Sequence, residues 1–176
     1  NSAGQVTLST QTTAGNSYTF GYTYTAGMAL ATPTSPSGRT VTTSYDDAGR
    51  VKSVKGQSGW IARDYAGNPG NPIQYASHGA IESMAMGNGI VETRTYNSRL
   101  QPTAIQAGSL MTILNCYQAS DDPSSCASLP VQGNGGNVQR QKITRGAQSW
   151  VQNYAYDAVN RLSTATETGG WSQPYG

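Results

Sequence analysis

The residue types that most often carry out catalysis are scarce in this chain. The only histidine, His78, directly follows Ser77, and because neighbouring strand residues point to opposite faces of a sheet, the two do not pair as nucleophile and base. A glycosidase needs two carboxylates that face each other across a cleft, and no pair stands out among the nine acidic residues. One histidine and two distant cysteines do not match the spacing of a zinc site. The sequence therefore predicts no enzyme activity, no cofactor and no metal site.

The two cysteines suggest a covalent rather than a catalytic role. Cys116 and Cys126 bracket a polar stretch that contains Pro123 and several serines. A disulfide between them would close a short loop and contribute on the order of 2–3 kcal/mol in the chain-entropy model. The alternative is a pair of free thiols in a reducing compartment, and an exported protein favours the disulfide.

Aromatic side chains offer a binding chemistry. The chain has 11 tyrosines, one phenylalanine and three tryptophans, namely Trp60, Trp150 and Trp171. Aromatic rings stack on sugars while Asn, Gln and Thr donate and accept hydrogen bonds, so a carbohydrate-binding or adhesion module is one interpretation. The other, which we favour, is that the tyrosines are packing residues of a β-sheet, and both remain open at this point.

Composition narrows the class of protein further. Charged residues make up 11% of the 176 residues, against roughly 25% in an ordinary globular protein. The net charge is +2 and the Lys and Arg residues are scattered singly, so no nucleic-acid partner is predicted. The sequence contains no window of about 18 apolar residues, so no membrane span is predicted. The sequence begins without a basic and apolar leader, so we expect any signal peptide to have been removed or to lie outside it. The polar composition is typical of a secreted or cell-surface protein.

The pattern of residues along the chain indicates strands and turns. Tyr18, Phe20, Tyr22 and Tyr24 alternate with small residues, which predicts a strand with one buried face. Residues 79–86 are the one stretch with a composition that suits a short helical turn. Eight strands are predicted in all, at residues 18–25, 40–45, 51–55, 90–96, 111–117, 138–144, 150–156 and 162–168. Glycine and asparagine between them predict tight hairpin turns, because both tolerate positive φ.

A repeat of about 21 residues is the most informative feature. Tyr24 and Tyr45, Tyr75 and Tyr96, and Tyr96 and Tyr117 are each 21 residues apart. The segments at 45–51 and 156–162 share a frame in which Tyr-Asp is followed by two variable residues, Gly or Asn, Arg and an aliphatic residue. The segment at 96–100 is interpreted as the same frame with two residues removed. We expect the Asp to bond backbone N–H groups of the turn and the Gly or Asn to take the left-handed conformation.

At these residues the sequence resembles the YD-repeat or Rhs family. The motif residues are Tyr45, Asp46, Gly49, Arg50, Tyr96, Asn97, Arg99, Tyr156, Asp157, Asn160 and Arg161. The resemblance implies a β-sheet strip that spirals into a hollow shell around a toxin or other cargo, as in bacterial Rhs proteins and the Tc toxin cocoon, with a related barrel in teneurins. It therefore implies that these residues form the fold and have no catalytic role.

Together these observations predict an all-β protein, an antiparallel β-hairpin repeat strip over residues 1–176 that is part of a larger β-shell or assembly. Residues 116–132 are interpreted as a loop insertion, and the whole chain as a segment of a longer protein. The predicted function is a secreted or cell-surface structural scaffold that encloses a toxin or other cargo. The expected partners are flanking repeats or copies of the same chain, which pair through β-sheet edges, besides the cargo or a cell-surface glycan.

Overall fold

A computed structural model of the chain describes residues 1–56, 72–118 and 135–175, together with the backbone of residues 64–66. The described residues form strands and turns, and none of them is helical. The strands are β1 (Leu8–Thr13), β2 (Asn16–Tyr24), β3 (Leu30–Thr34), β4 (Val41–Tyr45), β5 (Val51–Gly56), β6 (Asp64–Ala66), β7 (Gln74–Tyr75), β8 (Ile81–Ala85), β9 (Val91–Tyr96), β10 (Pro102–Ala107), β11 (Met111–Cys116), β12 (Arg140–Arg145), β13 (Gln148–Tyr156), β14 (Leu162–Glu167) and β15 (Ser172–Pro174). The predicted all-β class is confirmed.

The strands pair with their neighbours in sequence. They form a three-stranded sheet β1–β2–β3, a three-stranded sheet β4–β5–β6 and a nine-stranded sheet that runs from β7 to β15 without a crossover. The strand pairs whose register is resolved are antiparallel, as successive hairpins require. All eight predicted strands are present, with ends within two residues of the prediction. Residues 79–86 do not form the short helical turn that their composition suggested. They contain the strand β8, which lies between turns at Gly79 and Gly89.

The chain divides into two compact units. One comprises Asn1–Gln74 with Met84–Ile90, and the other comprises Tyr75–Ser83 with Val91–Gly176. The first unit holds the two three-stranded sheets, and the second holds most of the nine-stranded sheet.

Most of the best-buried residues of the second unit lie on β10 and β11, near the middle of the nine-stranded sheet. Cys116 and the polar residues Thr103 and Asn115 are buried there, as is Tyr117 directly after β11, whereas the buried Ala165 lies in β14, next to the last strand. The buried amide is satisfied, because Asn115 Nδ2 donates to the Pro102 carbonyl at 3.0 Å and Asn115 Oδ1 accepts from Gln141 Nε2 at 2.8 Å. A buried polar group that keeps both kinds of partner specifies the register of the strands around it.

The first sheet is far less buried than the alternation of its aromatic residues predicts. Phe20, Tyr22 and Tyr24 are half-buried, whereas Tyr18 is 43% exposed and every residue of β1 is exposed. No helix among the described residues is long and apolar enough to cross a membrane.

Candidate functional site in the repeated turns

The two complete motif copies form the same hairpin turn. We number the tyrosine as turn position 0. In residues 45–51 the Asp46 N–H donates to the Arg50 carbonyl at 2.8 Å, and the Gly49 N–H donates to the Asp46 carbonyl at 2.9 Å. The corresponding bonds in residues 156–162 measure 2.9 and 3.0 Å. Position 4 has positive φ in both, 76° at Gly49 and 63° at Asn160. This is a type I turn followed by a left-handed residue, which produces a β-bulge at the tyrosine.

The aspartate at position 1 binds the turn from inside. Asp46 Oδ1 accepts the N–H groups of Ala48 and Arg50 at 3.0 and 2.8 Å, while Oδ2 accepts Arg50 Nε at 2.8 Å. Asp157 bonds Val159 and Arg161 in the same way, at 2.9, 2.9 and 2.7 Å. These donors stabilise the ionised carboxylate, so the pKa of Asp46 and of Asp157 lies below its usual value, chiefly through the backbone N–H of the arginine at position 5.

The third motif copy corrects the predicted alignment. Nothing is removed from it, because the Asn97 N–H donates to the Gln101 carbonyl and the Leu100 N–H to the Asn97 carbonyl, at 3.0 and 2.9 Å. Leu100 has φ 64° and so lies at position 4, where the other two copies have Gly or Asn. Gln101 lies at position 5, and its side chain accepts a hydrogen bond from Asn97 Nδ2 at 2.8 Å. Arg99 is therefore at position 3 and does not replace the motif arginine.

Four further turns that follow a strand have the same backbone hydrogen bonds with positive φ at position 4. The Tyr-Asp frame did not align them with the motif, although the glycine and asparagine at residues 87–89 predict the turn at residues 85–91. Each has an N–H at position 1 that donates to position 5 and positive φ at position 4. Two follow a tyrosine, at residues 24–30 and 75–81, and two do not, at residues 34–40 and 85–91. The signal that could have found most of them is a glycine four residues after a strand end, since Gly38, Gly79 and Gly89 all occupy position 4. Met28 occupies it in the remaining turn, with φ 67°.

The tyrosines do more than pack in the sheet. Tyr45 Oη donates to the Leu30 carbonyl at 2.8 Å, Tyr96 Oη to the Ile81 carbonyl at 2.6 Å, and Tyr117 Oη to the Pro102 carbonyl at 3.1 Å. Each acceptor is position 6 of the preceding tyrosine turn. Two more tyrosines reach upstream carbonyls, Tyr24 to Val6 at 2.8 Å and Tyr156 to Val138 at 2.9 Å. We call each of these hydrogen bonds a tyrosine link, and it joins one hairpin to the chain segment before it.

His78 also lies in one of these turns. It is position 3 of residues 75–81, and its ring packs edge-on against Tyr96, with ring centroids 4.6 Å apart and an interplanar angle of 80°. The two residues line a shallow, open depression together with Glu82, Arg94 and Leu100. Arg94 forms an ion pair with Glu92 at 2.6 Å, and that hydrogen-bonded partner raises the pKa of Arg94. His78 therefore packs against the position-0 tyrosine of the turn at residues 96–102.

The remaining predicted sites receive less support. Trp150 is half-buried in β13 and Trp171 is 45% exposed, and no ring contact joins them among the described residues; Trp60 lies outside those residues.

Cys116 is fully buried at the end of β11 and is not a free thiol. Its predicted partner Cys126 and most of the predicted 116–132 insertion lie outside the described residues, so this pairing stays a prediction. Within the described part of the chain, no three His, Cys, Asp or Glu side chains are grouped to hold a metal.

Comparison with known proteins gives a match at the level of structure. No family model and no curated protein matches the sequence. A crystal structure of TcdB2–TccC3 with Cdc42 matches with a TM-score of 0.67 and 20% identity, over 86% of this chain and 7% of that chain. A crystal structure of TcdB2–TccC3 matches with a TM-score of 0.66 and 20% identity, over 86% of this chain and 7% of that chain. The structure of a mutant Tc holotoxin pore from Photorhabdus luminescens matches with a TM-score of 0.65 and 19% identity, over 85% of this chain and 7% of that chain.

The likeness is one of fold. At 19–20% identity the chain has the antiparallel β-architecture of a segment of these Tc toxin structures, and it spans about 7% of the length of the chains that it matches. The predicted antiparallel hairpin strip thus has counterparts among solved structures.

Proposed function

We propose that the chain is a structural repeat segment of a YD/Rhs-type protein, and that with neighbouring repeats it builds part of a wall around a toxin or other cargo outside the cell. The observation that carries the proposal is the set of tyrosine links. Three of them, made by Tyr45, Tyr96 and Tyr117, join the end of one strand to the first residue of the return strand of the hairpin before it. The repeating unit therefore contains its own connection to the next unit.

Repeated connections of this kind suit a scaffold. A hairpin alone is marginally stable, and stacking it on neighbours buries surface that it cannot bury by itself. The motif residues are engaged in holding the fold, because both carboxylates bond their own turns and the tyrosine hydroxyls bond backbone carbonyls. By the same geometry, the carbonyl of Leu162, which is position 6 of the turn at 156–162, would accept the tyrosine of a following repeat.

The structural neighbours support the toxin context of the proposal. They include the TcdB2–TccC3 assembly and the Tc holotoxin pore. A role for this chain in enclosing cargo extends that likeness of fold to a function, and so requires a functional test.

The test is protection of cargo in the full-length protein that contains this segment. We expect the enclosed polypeptide to resist an added protease, and the double variant Tyr96→Ala Tyr156→Ala to lose that protection because two links between hairpins are removed. Tyr18→Ala is the matched control, since Tyr18 is an exposed tyrosine at neither end of a tyrosine link. Equal cleavage of the enclosed segment in the wild type and the double variant would contradict the proposal.

If the protein functions outside the cell, a disulfide is expected, and this is tested separately. We propose that Cys116 pairs with Cys126, because Cys116 is buried and not free and the chain has no other cysteine. Peptide mapping without reductant should recover the two cysteine peptides as one linked species that separates on reduction. Recovery of two separately alkylated peptides would refute the pairing.

A further inference from the structure

The turn at residues 85–91 contains a chemically reactive pair of residues. Asn88 occupies position 3 and Gly89 position 4, and both are exposed. The side-chain amide of an asparagine is open to attack by the backbone nitrogen of the next residue, which is one reason why asparagine is a thermolabile residue. A glycine in that next position leaves the nitrogen accessible, because it has no side chain. Of the asparagines in the described part of the chain, Asn88 is the one that a glycine follows.

The local structure directs the Asn88 side chain toward that nitrogen. Asn88 Oδ1 accepts the N–H of Ile90 at 3.1 Å, and this bond closes an Asx-turn in which the side chain folds back over the backbone at Gly89. The same N–H stabilises negative charge that develops on Oδ1 when a nucleophile adds to the carbonyl carbon. A Cβ added to Gly89 would meet no atom within 4 Å, so the approach to its nitrogen is open.

One hydrogen bond of the turn opposes the reaction. The Gly89 N–H donates to the Met86 carbonyl at 2.9 Å, and this bond must break before the nitrogen attacks. The net contribution of one such bond corresponds to a factor of roughly 2 to 12 in an equilibrium constant. Folding should therefore slow the attack without preventing it, because the bond is exposed and belongs to a single turn.

We propose that residues 88–89 are a site of spontaneous deamidation in the native protein. The Gly89 nitrogen forms a bond to Asn88 Cγ, the bond between Cγ and Nδ2 breaks, and Nδ2 leaves as ammonia with the proton of the Gly89 nitrogen. Water then opens the resulting five-membered imide at either of its two carbonyls, which leaves an aspartate or an isoaspartate at residue 88. This modification goes beyond the proposed scaffold function and does not rest on it.

The two products have different structural consequences. An aspartate keeps the backbone and retains an oxygen that accepts the Ile90 N–H. An isoaspartate routes the main chain through Cβ and so adds one carbon to the turn. The bonds from Met86 N–H to the Ile90 carbonyl and from Gly89 N–H to the Met86 carbonyl, at 2.7 and 2.9 Å, depend on the original spacing. The isoaspartate product should therefore lose this turn, and its fraction should rise as the protein ages.

Incubation of the 176-residue protein at neutral pH, native or unfolded in urea, tests the proposal. Mass spectrometry follows the tryptic peptide of residues 64–94, whereas the other Asn-Gly pair of the sequence lies in the peptide of residues 100–140. We expect the mass gain of an amide-to-acid exchange at residue 88, as two chromatographically separate products, at a rate roughly 2- to 12-fold below that of the unfolded chain. A native protein that keeps this amide over about twenty half-times of the unfolded chain would overturn the proposal.

Two controls fix the site. Asn88→Gln keeps an amide but requires a six-membered ring, so its residue 88 should stay unmodified. Asn160 is exposed in the same kind of turn and is followed by Arg161, so it should keep its amide in the native wild type. A mass gain at residue 88 of Asn88→Gln, or an equal rate at Asn160, would contradict the assignment.

A further variant separates the two products. Asn88→Asp contains only the aspartate and should unfold at the same urea concentration as freshly prepared wild type. Aged wild type should contain a less stable fraction that co-purifies with the isoaspartate. An isoaspartate-containing fraction as stable as Asn88→Asp would show that the turn accepts the longer backbone, contrary to the proposal.

Discussion

The turn at residues 156–162 and the turn at residues 96–102 have one backbone and two chemistries. In the first, Asp157 and Arg161 form an ion pair at 2.7 Å around a left-handed asparagine. In the second, Asn97 and Gln101 are joined by a neutral hydrogen bond at 2.8 Å around a left-handed leucine. Both have a tyrosine at position 0 whose hydroxyl donates to an upstream carbonyl. The Asp and Arg of the motif are thus one solution to a backbone requirement, and an amide pair is another.

The comparison separates what these two motif turns share from what varies between them. They share an oxygen at position 1 that accepts the N–H groups of positions 3 and 5, which Asp157 and Asn97 supply. The same backbone turn also forms without that oxygen, because Ala76 and Met86 occupy position 1 of the turns at residues 75–81 and 85–91. Position 4 accepts a non-glycine residue, although the left-handed conformation costs an ordinary residue roughly 1–2 kcal/mol. The predicted effects are therefore largest for the shared tyrosine, intermediate for position 4 and smallest for charge.

Loss of the tyrosine should destabilise either turn most. We expect Tyr96→Ala to lower the free energy of unfolding by about 2–3 kcal/mol, since the change removes half-buried aromatic surface. Tyr96→Phe, which removes only the hydroxyl and leaves the Ile81 carbonyl without its donor, should lower it by about 1–2 kcal/mol. Urea denaturation measures both. If Tyr96→Phe has the stability of the wild type, the tyrosine link contributes nothing and packing alone explains the tyrosine.

Substitutions at position 4 should change the free energy of unfolding in opposite directions in two of the turns. Leu100→Gly relieves a left-handed leucine that is 56% exposed and has little packing to lose. We expect it to raise the free energy of unfolding by up to about 1 kcal/mol. Gly49→Leu should lower it by roughly 1–2 kcal/mol through strain alone, because no atom lies within 4 Å of the added Cβ. Changes of the same sign in both variants, measured by thermal and urea denaturation, would show that position 4 is not limited by backbone conformation.

Acidic pH should distinguish the charged turns from the neutral turn, and this is the smallest of the three expected effects. The folded pKa of Asp46 and Asp157 lies below the unfolded one, so their contribution is complete above the unfolded pKa of about 3.9 and is lost as pH falls through the folded value. The Asp46→Asn Asp157→Asn protein should therefore lose less stability than the wild type between neutral pH and this acid range. Asn97→Asp should add acid sensitivity to the neutral turn. Parallel pH profiles for all three proteins would contradict this reasoning.

Prediction from sequence succeeded where the determinant is local. The eight predicted strands alternate or are rich in β-branched residues, and turn glycines at 49 and 89 mark their ends. It missed seven strands, namely β1, β3, β6, β7, β8, β10 and β15. In β3 and β10 a proline, Pro33 or Pro102, weakens the strand pattern, even though Pro102 only begins its strand. It also aligned residues 96–100 with a deletion, because leucine at position 4 does not resemble a turn residue.

The amino-acid sequence by itself determined the class of this protein and the places of its principal turns. Alternation and turn chemistry act over a few residues, so they can be read without knowing which strands meet. Tertiary structure decided which carbonyl each tyrosine hydroxyl reaches, since Tyr45 and Leu30 are brought together only by the register of successive hairpins. It also decided that Leu100 adopts a left-handed conformation. Register and strand order depend on the sum of many weak pairings across the sheet, which no single short segment of sequence encodes.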